Sequence, residues 1–227
     1  MKRFEREGKG EPAPSSGLAR CGVMALTHFW KLIAVNLLFV IFSLPVITLP
    51  AALTALNRVC IIIYRDGNIF LWDEFWKEFH RSFLRALGPG FGFALLLFCG
   101  YFFMSLGNGN SQLVFFAMLF WALGIFMTIT ALIIGEMFFV MISVLEIGNF
   151  NALKNALILS LARPVRSLAI LLIVFALVFG VMSLMPISIV LLIFIWVVLA
   201  QYPISCLVYD LIEEMILIPF QNRVEKG

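Results

Sequence analysis

Residues 113–147 read LVFFAMLFWALGIFMTITALIIGEMFFVMISVLEI, an apolar run of 35 residues charged only at Glu136 and Glu146. As an α-helix rising 1.5 Å per residue it would measure about 52 Å. About 20 residues suffice to cross a hydrocarbon core of about 30 Å. The run is therefore a membrane-crossing helix with length to spare, expected either to project from the bilayer or to bend near Gly135.

The rest of the chain agrees. Of its 227 residues 63% are hydrophobic and only 13% charged, with a mean hydropathy of +1.05. A soluble domain carries about 25% charged residues, and half that share cannot clothe a globule in water-compatible groups. The 24 Phe and 5 Trp suit a bilayer and its edges. The fold class is all-α, a polytopic bundle whose first partner is lipid. A net charge of +3, with the bases flanking apolar runs, speaks for membrane orientation and against nucleic-acid binding, which needs a basic face.

Working outward, the uncharged turn 107–111 precedes residue 113, and before it Leu87–Leu106 forms a second spanning run entered through Gly88-Pro89-Gly90. Upstream, Trp72, Phe75, Trp76, Phe79 and Phe83 recur at three- and four-residue steps while Asp73, Glu74, Lys77, Glu78, Arg81 and Arg85 fill the opposite face. Such a segment is too charged to span and too aromatic to leave the membrane. It is expected to lie in the interface plane as a separate helix. Downstream, Phe150, Leu153, Leu157 and Leu161 oppose Asn151, Lys154 and Asn155 in a second, weaker interfacial helix ended by Pro164. Two more spanning runs, Val165–Leu184 and Ile187–Val208, follow. Gly67-Asn68 and Gly148-Asn149 each introduce an amphipathic helix and then a spanning one, a faint internal repeat.

The positive-inside rule puts both amphipathic segments and the C-terminus in the cytoplasm. A polar tail over 1–26, a transmembrane domain over 27–209 and a cytoplasmic tail over 210–227 result. The N-terminal stretch shows no cleavable-signal pattern. Its bases place it inside as well, which requires 27–64 to cross and return, turning at the Pro45–Pro50 break and giving six membrane segments. The returning arm then carries Arg58, at about 2.5–3.5 kcal/mol if it stands mid-membrane. A single crossing, with five segments and the tail outside, spares Arg58 but breaks the charge rule; the rule favours the hairpin.

No catalytic arrangement is present: no phosphate loop, nucleophile elbow or zinc-binding helix motif. No cofactor is expected, and the protein is expected not to be an enzyme. The four cysteines sit apart, without metal-ligand spacing, and Cys21 is expected to be the accessible one. The polar residues within apolar runs are the better candidates. Glu136, about 34 Å along its helix from Leu113, is expected near the cytoplasmic interface, with a proton carrier or a partner for Arg58 as the other reading. Asn36 and Ser43 share a face of the first helix and are expected to bond a neighbouring helix, with Gln201 a similar case.

The block Asn36-Leu37-Leu38, Ser43-Leu44-Pro45-Val46-Ile47-Thr48 and Pro50-Ala51-Ala52-Leu53-Thr54-Ala55-Leu56 resembles the signature of the YesL-like family of bacterial membrane proteins. The Phe75–Phe79 segment and Lys154-Asn155-Ala156-Leu157 resemble it too, while Leu49 stands where that family usually has Gly. The resemblance implies a multi-pass protein of the bacterial inner membrane with Asn36, Ser43, Pro45, Thr48, Pro50 and Asn155 as motif residues. It further implies a link with carbohydrate uptake, since such proteins are often encoded beside sugar transporters of the ABC type, whose permease subunits would be partners. It implies no activity. The first expectation is an accessory protein that couples to or stabilises such a transporter through its cytoplasmic amphipathic helices. The alternative is a small solute transporter or channel using Asn36, Arg58 and Glu136 along a pathway.

Overall fold

A computed structural model describes residues 17–67, 69–109, 114–185 and 190–218. All regular structure among them is helical. The elements are α1 (Gly17–Thr27), α2 (Phe29–Ser43), a 3-10 turn (Val46–Thr48), α3 (Leu49–Arg65), α4 (Leu71–Gly109), α5 (Val114–Val144), α6 (Asn149–Ala162) and α7 (Pro164–Ser183). A last helix then passes through a π turn (Leu192–Trp196), continues as α8 (Val197–Ile212) and contains a second π turn (Glu213–Leu217). The chain is an all-α polytopic membrane bundle. Five helical stretches, 46–65, 71–108, 114–144, 164–183 and 192–217, are long and apolar enough to cross a bilayer, and α1 with α2, bent by 84°, make up a sixth only if taken as one broken span.

Residues 27–64 do fold back. Lys31 at the start of α2 donates to the Gly67 carbonyl just past α3, at 2.6 Å. At the other end the Thr48 hydroxyl closes the turn onto the Phe42 and Pro45 carbonyls. The two arms are thus antiparallel, reversing ahead of Pro50, which sits in the first turn of α3 where its missing N–H costs nothing. Gly67, at φ +70°, turns the chain beneath the His28 ring. With 15 residues, α2 is about 22 Å long, short of the hydrocarbon core.

The core is built where α3, the second half of α5 and α8 meet. Ala51, Ala52, Ala55, Leu56, Val59 and Ile63 of α3, Met137–Ile142 of α5 and Ile204, Val208, Leu211 and Ile212 of α8 are buried. Beyond it, α4 and α5 run as a long antiparallel pair. Gly100 and Gly124 face one another there, and a Cβ on either would strike the other's carbonyl. Small residues at such a crossing let two membrane helices approach closely.

Several boundaries differ from expectation. The aromatic segment and the Leu87–Leu106 run are one helix, α4, with Pro89 inside it, so the segment extends the spanning helix instead of forming a separate one. Phe75 and Phe79 are buried against Phe42 of α2, at ring-centroid distances of 5.5 and 5.1 Å, while Trp72 and Trp76 remain exposed. α5 shows no break at Gly135. The tail assigned to 1–26 contains α1 from Gly17 onward, and the one assigned to 210–227 is helical through Leu217; residues 1–16 and 219–227 lie outside the described residues. In both cases an apolar face that packs on the bundle outweighs the polar composition around it.

Candidate functional site

Two polar constellations stand out, one inside the bundle and one at its end. Inside, the π turn of the last helix lacks regular i→i−4 pairing, and Asn36 of α2 makes good the loss. Its Nδ2 donates to the Leu192 and Ile193 carbonyls at 3.1 and 2.7 Å, and its Oδ1 accepts from the Val198 N–H at 2.9 Å. In hydrocarbon an unpaired backbone group costs several kcal/mol, which is reason enough for a fully buried Asn.

One turn further along α8, the Gln201 Nε2 donates to Asn57 Oδ1 at 2.8 Å and to Glu136 Oε2 at 2.7 Å. The Ser205 hydroxyl lies 3.0 Å from the same Asn57 oxygen and 2.8 Å from the Gln201 carbonyl. These residues tie α3, α5 and α8 together. Asn57 Nδ2 is buried with no partner among the described residues. Glu136 of α5 thus meets α8 through Gln201. It makes no ion pair with Arg58 among the described residues; Arg58 donates to the Ser143 carbonyl near the end of α5, at 3.2 Å.

At the bundle's end, Tyr64 donates to Asp210 Oδ1 at 2.8 Å and accepts from the Gly17 N–H at 3.2 Å. The Arg20 guanidinium lies 5.3 Å above the Tyr64 ring and donates to the Arg65 carbonyl; Arg65 in turn covers Tyr209 at 5.7 Å. Glu214 accepts from Arg163 at 2.6 Å and from Arg166 at 3.2 Å. Around these groups opens a cleft of about 660 Å³, lined by Arg20, Arg65 and Arg166, by Asp66, Asp210, Glu213 and Glu214, and by the two tyrosines. Arg166 Nη1 is buried there without a partner among the described residues.

A third cluster is structural. Arg85 of α4 donates to the carbonyls of Leu145 and Ile147 and to Asn149 Oδ1, while Asn149 Nδ2 returns a bond of 2.9 Å to the Arg85 carbonyl. The carbonyls that follow the last turn of α5 lack helical partners, and one guanidinium, with donors in a fixed fork, serves two of them. Beside it Arg81 bridges Glu78 and Glu146.

The remaining sequence candidates are dispersed. Ser43 bonds within its own helix, to the Val40 carbonyl. Pro45 is exposed and Thr48 half-buried at the α2–α3 reversal, Pro50 packs against Gly90 of α4, and Asn155 is half-buried on α6. Trp72, Phe75, Trp76, Phe79 and Phe83 form the α4 stripe described above. Cys21, expected to be accessible, is 4% exposed. Among the described residues no group of three His, Cys, Asp or Glu could hold a metal. Sequence reasoning missed the pairing of Asn57 with Gln201 and the Arg85–Asn149 exchange. Asn149 carried a signal, as part of the repeated Gly-Asn pair.

Residues 32–104 match the model of a family described as a protein of unknown function, DUF624. The matched stretch runs from α2 through most of α4 and contains the Asn36 to Leu56 block. No curated protein and no solved structure matches the chain.

Proposed function

We propose that this membrane protein is a non-enzymatic accessory subunit of a carbohydrate uptake system in the bacterial inner membrane, docking on ABC permease subunits through its charged end. The observation that carries the reading is the cleft around Tyr64 and Asp210. Arginine and tyrosine are the residues that dominate binding at protein interfaces, and here they are held in place by stacking and hydrogen bonds. Acids and bases stand side by side, which suits a partner segment carrying both signs of charge. Arg20, Arg65, Arg163 and Arg166 gather at this end, so the positive-inside rule turns the cleft and the C-terminus toward the cytoplasm. The similarity to YesL-like proteins supplies the sugar connection.

The test is co-purification in mild detergent with the sugar permease subunits encoded beside the gene. Capture should be lost in the double variant Arg65→Glu, Arg166→Glu while the variant remains folded and helical by circular dichroism. A wild-type protein that purifies as a clean monomer from cells expressing those permeases sinks the proposal.

A second reading, a small solute transporter, draws on one observation, the Asn57 Nδ2 that has no partner among the described residues, beside the Glu136–Gln201 bond. It requires flux into proteoliposomes of the protein alone, abolished by Glu136→Gln. Absence of flux across a broad solute panel excludes it.

A further inference from the structure

Between α4, α5 and α6 runs an apolar groove of about 760 Å³, walled by Phe93, Phe138, Leu153 and Leu157 and with Lys154 and Asn149 among its few polar neighbours. That volume lies within the roughly 300–1,000 Å³ of sites that hold small ligands. Its origin is readable in the sequence. Gly92 lines the groove, and a Cβ placed there meets nothing within 4 Å; the side chain that would fill the space is missing. α6 turns Phe150, Leu157 and Leu161 outward, at 79%, 46% and 75% exposure, so the groove opens on the side where the protein meets lipid.

We propose that this groove binds one anionic phospholipid, an acyl chain lying between α4 and α6 and the phosphate against Lys154. An open apolar channel facing lipid tails fills with them, because leaving it empty forfeits the dispersion contacts of its whole lining. Headgroup choice rests on charge. Lys154 lines the groove and makes no ion pair among the described residues, whereas the amide of Asn149 is committed to Arg85. A lysine near the membrane surface attracts anionic lipid by an amount worth about fivefold in affinity. Lipid in this groove is independent of what docks at the charged cleft.

The experiment is native mass spectrometry of the full chain in mild detergent, titrated with phosphatidylglycerol and, separately, with phosphatidylcholine of the same chain length. The wild type should hold one phosphatidylglycerol about fivefold more tightly than phosphatidylcholine. Lys154→Gln should equalise the two, and Gly92→Phe should abolish retention of both. Leu157→Trp, which narrows the groove from the exposed α6 side, serves as a second plug should Gly92→Phe fail to fold. Equal retention by a folded plugged variant and the wild type overturns the proposal, as does a wild type indifferent to headgroup. Displacement of the lipid by inorganic phosphate alone would show that the acyl chain is not seated, and it also counts against. A wild-type dimer that disappears with Gly92→Phe would assign the groove to a second copy of the chain and equally overturns it.

Discussion

The chain writes the same local sentence twice and folds it two ways. After Gly67 and again after Gly148, an amphipathic segment leads into an apolar one through a proline, Pro89 in the first case and Pro164 in the second. The first pair is a single helix of 39 residues; the second is two helices, split at Arg163. The residue before each proline decides the local outcome. A proline ring crowds the Cβ of its predecessor and drives it out of the helical region. Arg163 yields, with φ −132° and ψ 70°, whereas Gly88 has no Cβ to crowd and stays helical. Packing then confirms the choice. The amphipathic half of α4 buries Phe75, Glu78, Phe79, Ser82 and Ala86; α6 buries Ala152, Ala156 and Leu159 and leaves Phe150, Leu153, Leu157, Ile158 and Leu161 exposed.

The two regions nevertheless solve one problem alike. Each proline removes the N–H that would have met the carbonyl four residues earlier, that of Arg85 in α4 and that of Ser160 in α6. Asn149 Nδ2 donates to the first at 2.9 Å, and the Ser167 hydroxyl to the second at 2.9 Å. The lesson is that a proline in this chain marks a carbonyl in need of a side-chain donor, whether or not the helix breaks.

The contrast in burial gives the largest expected effect. Phe75→Ala should lower unfolding stability in detergent by about 3 kcal/mol, as truncation of a buried aromatic does. Phe150→Ala, at the matching start of α6, should change it by no more than about 0.5 kcal/mol. Equal losses in the two variants would mean that the halves are not packed differently, and the comparison would fall.

Next comes the point where the two regions touch. Arg85→Ala removes the donors that serve Leu145, Ile147 and Asn149 and should cost about 2–3 kcal/mol, the range for hydrogen bonds to charged groups with partners left unpaired. Arg85→Lys should recover less than half of that, because one ammonium does not reproduce the guanidinium fork. Full rescue by Lys in a chemical-denaturation series would show that charge alone, not the forked geometry, joins α4 to the α5–α6 turn.

Much of this was legible in the residues, and the parts that were not have physical reasons. The apolar runs announced the membrane class and four of the long helices, because nothing but lipid explains runs of that length. The reversal at 44–48 was legible in Pro45 and Pro50. Pro89 misled, since a proline after a run of charges reads as a boundary unless the glycine before it is weighed. Cys21 misled through composition: a polar tail hid Cys21–Leu26, whose apolar face packs on the bundle. The π turn at Leu192–Trp196 has no local sequence signal at all. Its only trace is remote, an Asn at position 36 in an otherwise apolar helix, and only the fold brings the two together. Glu136 was noticed for the right reason, a carboxylate in an apolar run, but its distance along the helix could not disclose that Gln201 would meet it.

The shared solution to the proline problem sharpens the comparison through a mutant cycle. Asn149→Ala should cost about 1–3 kcal/mol by leaving the Arg85 carbonyl unpaired. In a Pro89→Ala background the new N–H at position 89 reaches that carbonyl directly, and the Asn149→Ala cost should fall by at least half. A cost unchanged by Pro89→Ala would assign Asn149 wholly to its contact with the Arg85 side chain.

The smallest effect is expected at the other junction. Ser167→Ala should cost about 1 kcal/mol, a typical net value for one neutral hydrogen bond. Pro164→Ala alone restores the option of a continuous α6–α7 helix. Arg163 would have to give up its non-helical backbone to use that option, and with it the ion pair to Glu214, which at this exposure is worth no more than about 1 kcal/mol. Recovered helix and lost ion pair are therefore of similar size, and Pro164→Ala should leave stability near the wild type. Adding Glu214→Gln removes the opposing contribution, so the pair of substitutions should favour a fused helix, detectable as a longer distance between spin labels at positions 153 and 175. An unchanged label distance in that double variant would show that packing of α7 on its neighbours, not the proline and its arginine, holds the second half of the repeat broken.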